Sequence, residues 1–234
     1  MKTFNIKMAR NIEKEYQKLT PEQAVLHRPA SYIGSTNETI TETWVPNKNK
    51  MVYKPVKYNP GLLKCFDELI TNAFDASKRD NTVKNIKITI LPDNMSVWND
   101  GDVGIPIQIH KDHNVYLPEL IFSHVHSSSN YDDTQNRTWA GTNGVGAKAA
   151  IIFSKESNIT INHDNKCYTQ KFENNLTKRN KPKITKGKSS NCVGVTVFPD
   201  FDRFGLKDFA SDQTIEMIYK RTLEVAALTD KKVS

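Results

Sequence analysis

Glu68, Asn72 and Asp75 are spaced four and then three residues apart within GLLKCFDELITNAFDASKRD, residues 61–80. At about 100° per residue, a helix gathers them on one strip roughly 60° wide. Leu62, Phe66, Leu69, Ile70, Ala73 and Ser77 recur at helical spacing on another side, so one face of this helix is apolar and buried. Carboxylate, amide and carboxylate along one groove suit metal–phosphate chemistry. The Asn72 amide oxygen is a hard ligand for Mg2+, and Glu68 can orient and deprotonate an attacking water. Taken alone, the same strip is also what an ordinary solvated helix face looks like.

Three downstream segments add to it. Asn99 to Pro106, NDGDVGIP, is a glycine turn that lets backbone approach a flat ligand closely. SSSNYDD, residues 127–133, offers hydroxyls and an amide at Ser128, Ser129 and Asn130 to ribose and phosphate oxygens; by composition it is equally a polar loop. GTNGVGAK, residues 141–148, opens a helix, GAKAAIIFS, whose first N–H groups and Lys148 favour an anion. Gly141 to Gly146 has P-loop spacing, but Ala147 stands where the lysine belongs and Ala149 can supply no hydroxyl to magnesium. Gly144 to Ala149 matches a dinucleotide fingerprint but follows polar residues instead of a strand. Neither reading holds. His110, His113, His124 and His126 have no cysteine or carboxylate cluster beside them, so zinc is not expected.

Taken together and in order, E-x-x-x-N, NDGDVGIP, SSSNYDD and GTNGVGAK resemble the ATP-binding motifs of the GHKL superfamily, which includes gyrase-type topoisomerases, a heat-shock chaperone, histidine kinases and MutL. SSSNYDD and GTNGVGAK, with RPASYIGS near the N-terminus, are specifically similar to the ATPase domain of eukaryotic-type (type IIA) DNA topoisomerase II, over nearly the whole chain. The resemblance implies ATP and Mg2+ as cofactors, with Glu68 catalytic and Asn72 on the metal. It implies nucleotide contacts from Asn72, Asp75, Asn99, Ile105, Ile121, Phe122, Ser128, Ser129, Asn130, Gly141, Asn143, Gly144, Val145, Gly146, Lys148 and Thr196. Asn99 and Thr196 would read the adenine, and Tyr16 would reach the nucleotide of a partner subunit. Two departures stand out: one extra residue before Gly104, and Thr142 where the family has an arginine.

The implied activity is ATP hydrolysis that drives two such domains to dimerise and close a gate on DNA. The implied location is intracellular, in the nucleus unless the chain is virus-encoded. The transducer domain, with a lysine for the γ-phosphate, and the DNA-cleaving tyrosine are expected outside residues 1–234, so slow turnover is expected of this chain. Two alternatives remain: a chaperone- or repair-type GHKL ATPase, and a nucleotide-sensing module without turnover. SSSNYDD weighs against the first and Glu68 against the second.

The elements that must position these residues suit an α+β fold, a mostly antiparallel mixed sheet with helices on one face, and the resemblance implies that it is of Bergerat/GHKL type. Residues 1–20 read by themselves as a polar, basic arm; the resemblance implies that they are a strap and that 21–234 are the ATP-binding domain. A short helix is predicted from Pro21 with Thr20 as cap. A hairpin spans Thr41–Tyr58, where Pro46 and Pro55 argue for an edge. NIKITIL and MSVWN are strands around the Pro92–Asn94 turn. PELIFSHVH is a short helix, NITINH and KCYTQKF are a hairpin, Lys178–Lys188 is a basic loop, VGVTVF is a buried strand, and Asp202–Lys207 is a loop. The last helix is capped by Ser211 or Asp212, with Ile215, Ile218, Leu223 and Ala226 inward. A length of 234 residues and 37% hydrophobic content fit one globular domain. Three scattered cysteines form neither a disulfide framework nor a zinc motif, as expected of a reducing compartment. The net charge of +7 favours anionic partners without naming one.

Overall fold

The computed structural model describes residues 19–125 and 146–234. Helix α1, Pro21–His27, starts at a reciprocal cap, in which Thr20 Oγ1 accepts from the Gln23 N–H at 3.2 Å and Gln23 Oε1 accepts from the Thr20 N–H at 2.9 Å. After a 3-10 turn at Pro29–Ser31 come β1, Thr39–Asn47, and β2, Lys50–Tyr58. These two strands pair only with each other, through a two-residue turn with Lys48 at φ 54°. A two-stranded ribbon is all edge, so Pro46 and Pro55 cost no interior ladder bond.

The long helix α2, Pro60–Arg79, is the spine of the molecule. Its start is fixed by Asn59, fully buried, whose side chain accepts from the Leu62 N–H and donates to the carbonyls of Thr36 and Phe204. Gly61 N–H donates to Ser35 O at 2.8 Å, so the RPASYIGS segment locks the first turn of α2. Leu62, Cys65, Phe66, Leu69, Ile70 and Ala73 are buried along one side, the stripe their spacing requires.

The remaining elements are β3 (Ile86–Ile90), β4 (Met95–Asp100), α3 (Leu117–Ser123), α4 (Gly146–Ile152), β5 (Ser154–His163), β6 (Lys166–Glu173), β7 (Lys178–Arg179), β8 (Lys183–Lys186), β9 (Cys192–Pro199) and α5 (Thr214–Leu228). The main sheet runs β3-β4-β9-β5-β6-β7, with β8 also on β6. Every pairing among the described strands is antiparallel. The β5–β6 turn is made by Asp164 and Asn165, both left-handed at φ 49° and 60°.

Register sorts the strand residues onto two faces. Met95, Val97 and Asn99 lie opposite Val197, Val195 and Val193, which in turn lie opposite Ser157, Ile159 and Ile161. This inner face carries the core and receives the helices. Ser96 and Trp98 lie opposite Thr196 and Gly194, and these opposite Asn158 and Thr160. This outer face is rich in hydroxyls and amides.

Three expectations need correction. Residues 178–188 are not one basic loop: β7 and β8 both pair with β6, Lys178 meets Glu173 at 2.6 Å, and Arg179 is ion-paired with Glu22. Residues 201–204 form a 3-10 turn closed by left-handed Gly205, with Phe201 and Phe204 buried. On α5, Ile218 and Val225 are buried with Thr214, whereas Ile215 is 43% and Leu223 44% exposed. The hairpin settles that rotation: Lys54 pairs with Glu216 and Lys220 donates to Thr43 Oγ1, so the side of α5 facing β1 and β2 is fixed by polar ties. Asp212 accepts from the Thr214 N–H at 2.8 Å, ahead of the helix.

Candidate active site

Glu68 sits in the third turn of α2, with its carboxylate turned toward the start of α4. A Cβ placed on Gly146 would collide with Glu68 Oε2, so the glycine leaves room for the carboxylate in this position. The other oxygen, Oε1, lies 2.6 Å from Lys64 Nζ, one turn earlier. Glu68 and Gly146, 78 positions apart in the chain, are thus neighbours. Lys148, two residues into α4, is buried, and desolvation pushes its ammonium down to about 8.

Asn72 is exposed, one helical turn beyond Glu68. Asp75 is buried in the next turn. The helix then ends at Asp80, and this residue anchors the NDGDVG turn. Asp80 is buried, accepts from the Val103 N–H at 2.8 Å through Oδ2, and from the Thr82 N–H and hydroxyl through Oδ1. Thr82 Oγ1 also accepts from the Asp102 N–H at 2.7 Å. Val103 itself is 63% exposed. Val103 thus projects into solvent while its N–H is held by the residue that ends α2. Burial raises the Asp80 carboxyl, but these hydrogen bonds outweigh it and hold it below the usual range. Gly101, at φ 138°, passes so near that a Cβ would lie 2.6 Å from Asp80 Oδ2.

Asn99 ends β4 on the inner face and donates to Asp100 O at 2.9 Å. Its neighbour Asp100 points the other way and accepts from the N–H groups of Lys84 and Asn85 and from the Asn85 amide, which anchors the strand end. Ile105 and Ile121 are half-buried against the core, and Phe122 is inside it. Helix α3, which carries Ile121 and Phe122, is tied down at both ends: Gln170 donates to Glu119, and Arg179 donates to Ser123 O at 2.8 Å.

Thr196 is not with Asn99. Its partners Ser96 and Asn158 place it on the outer face, away from the helices. The β9 residue directly opposite Asn99 is Val193. Tyr16, Ser128, Ser129, Asn130, Gly141, Asn143, Gly144 and Val145 lie outside the described residues. Spacing alone signalled one feature that went unread: Lys64 precedes Glu68 by four residues, a helix pair by geometry.

Among the described residues, α2 presents Glu68 to Gly146 at the start of α4 and Asn72 to solvent one turn further on, while Asn99 lies on the sheet's inner face near the end of β4. An orientable base beside Gly146 and a buried lysine fits a phosphate ester and the water that attacks it.

No family model matches the chain. DNA topoisomerase 2 of Acanthamoeba polyphaga mimivirus is 40% identical over 237 residues, covering 97% of this chain and 19% of that protein. The ATPase region of Saccharomyces cerevisiae topoisomerase II superposes with a TM-score of 0.87 at 37% identity, over 91% of this chain and 57% of that one. The ATPase and transducer domains of the Balamuthia mandrillaris enzyme give 0.89 at 34%, over 93% and 58%. The chain thus spans about a fifth of that curated relative and just over half of the two solved structures. At these identities, the chain is a relative of the ATPase region of DNA topoisomerase 2.

Proposed function

We propose that this chain binds and hydrolyses ATP as the nucleotide module of a type IIA DNA topoisomerase. The observation that carries the reading is the apposition of Glu68 and Gly146, which puts a base where a glycine turn can hold phosphate. Glu68 takes the proton from a water as its oxygen attacks the γ-phosphorus in line, the bond from that phosphorus to the β–γ bridging oxygen breaks, ADP leaves with that oxygen and inorganic phosphate forms, and positioning supplies most of the remaining acceleration. Asn72, an exposed hard oxygen donor, would hold Mg2+, which when bound neutralises charge building on the phosphate oxygens. Asn99 and Val193 flank the place for the base, and Ile105, Ile121 and Phe122 supply apolar wall. Lys148 and the 141–146 turn serve the triphosphate, and Ser128, Ser129 and Asn130 the ribose and α-phosphate.

The wider reading follows from kinship. Residues 1–20 act as a strap that brings Tyr16 to a second copy, ATP stabilises that homodimer, and closure captures a DNA duplex in a nuclear or viral setting. Among the described residues no helix is long and apolar enough to cross a membrane.

Calorimetry with a non-hydrolysable ATP analogue and Mg2+, paired with steady-state turnover, tests the core of this. Glu68→Gln is expected to keep analogue binding and to lose about 10²–10⁴-fold in kcat. Turnover of Glu68→Gln equal to that of the unmodified chain would refute it.

A further inference from the structure

Glu68 is the end of a chain of ion pairs. Lys64 Nζ lies 2.6 Å from Glu68 Oε1 and 3.1 Å from Asp67 Oδ2. Asp67 Oδ1 accepts from Arg221 Nε on α5 at 2.6 Å, and Thr71 Oγ1 approaches the same oxygen at 3.5 Å. Arg221 Nη1 continues to Glu224 Oε2 at 3.4 Å. The Lys64 side chain is 42% exposed, so its pairs contribute little to stability.

Their geometry has a different use. The two oxygens of Glu68 face different neighbours: Oε1 meets the ammonium, and Oε2 faces Gly146. A glutamate has three rotatable bonds, and a base that wanders spends little time aimed at its water. An ammonium on one oxygen removes that freedom while the other lone pairs stay open. Being itself held between two carboxylates, Lys64 has few places to go.

We propose that Lys64 is a positioning residue for the hydrolytic step, tethering Glu68 Oε1 so that Oε2 is presented toward Gly146, and that Asp67 and Arg221 anchor this tether to α5. The proposal rests on Glu68 being the base. It makes α5 a lever on turnover: a shift of that helix moves Arg221, then Asp67 and Lys64, and so the aim of Glu68, without touching the nucleotide.

The test measures Mg2+-ATP turnover, analogue affinity and thermal melting for the 234-residue chain and for Lys64→Met, Lys64→Arg, Arg221→Met and Glu68→Gln. Lys64→Met is expected to lower kcat by about 10- to 100-fold with KM and analogue affinity within about twofold, because the base is misaimed and not removed. Lys64→Arg, which restores a cation, is expected to recover most of that loss. Arg221→Met is expected to show a smaller loss of the same kind, kcat alone. If Glu68→Gln is inactive and Lys64→Met turns over like the unmodified chain, the tether is refuted while the hydrolysis reading stands. If Lys64→Met loses melting temperature or analogue affinity in proportion to kcat, its role is structural and the proposal falls. If Glu68→Gln itself turns over normally, the hydrolysis reading fails and the tether with it.

Discussion

Gly146→Ala separates catalysis from stability in one substitution. The added Cβ would strike Glu68 Oε2. That atom ends a flexible side chain, so the carboxylate swings away and the backbone of α4 stays put. A retreat of about an ångström is enough, and a misplacement of that size costs on the order of 10²-fold in rate, or about 2.7 kcal/mol of transition-state stabilisation. Folding moves the other way. Gly146 begins a helix, and exchanging glycine for alanine at a compatible helical site adds about 0.4–1 kcal/mol by restricting the unfolded chain. The expected result is a protein that melts at the same temperature or higher, binds an ATP analogue, and turns over about a hundredfold more slowly. Steady-state ATPase assays beside thermal melts read both quantities. Undiminished turnover would show that Glu68 Oε2 does not act toward Gly146. Activity lost in step with melting temperature would show that the contact is packing only.

Asp80→Ala should destabilise the chain by about 3 kcal/mol, since it orphans the Val103 N–H and the Thr82 pair; a urea melt measures it. Asp80 is held below its unfolded value of about 3.9, so its contribution is complete above that pH and is lost as pH falls through the folded value; acid melts of Asp80→Asn should show a shallower decline there. Arg179→Ala should cost about 2 kcal/mol, because it leaves Glu22 and Ser123 O without their shared donor, and a thermal melt reads it. Thr196→Val, on the outer face, should leave analogue affinity within about twofold, whereas Val193→Arg, facing Asn99, should abolish binding by calorimetry.

Much of this architecture was legible because local rules and packing agree. Thr20, Pro21 and Gln23 make a cap wherever they meet, and the α2 stripe has no second face to bury. The Asp164–Asn165 turn and the alternation of β3 and β4 leave one pairing. Legibility ended where two choices were equally apolar or a residue type outweighed its facing. On α5, Ile215 and Leu223 are as apolar as Ile218 and Val225, and the rotation was decided by Lys54–Glu216 and Lys220–Thr43, contacts between distant segments. On β9, a threonine was the attractive adenine partner, yet side chains alternate along a strand, and register alone assigns 193 and 196 to opposite faces. The placement of Val103 depends on Asp80, twenty-three residues earlier, which no local pattern reveals. In the site, the Glu68–Asn72 spacing was readable, but the nearness of Gly146 is a tertiary fact.

The β1–β2 ribbon stands outside the main sheet, with Ile40, Trp44, Met51 and Tyr53 turned to water, Val45 and Val56 buried, and polar ties from Lys54 and Thr43 to α5. A two-stranded ribbon has open edges on both sides, so its outward amides should trade hydrogen for deuterium long before those of β4, β9 and β5. Trp44, stacked edge-on against Tyr53 at 5.5 Å, would report that early loosening by its emission, while Trp98 on the main sheet stays silent until the whole molecule melts.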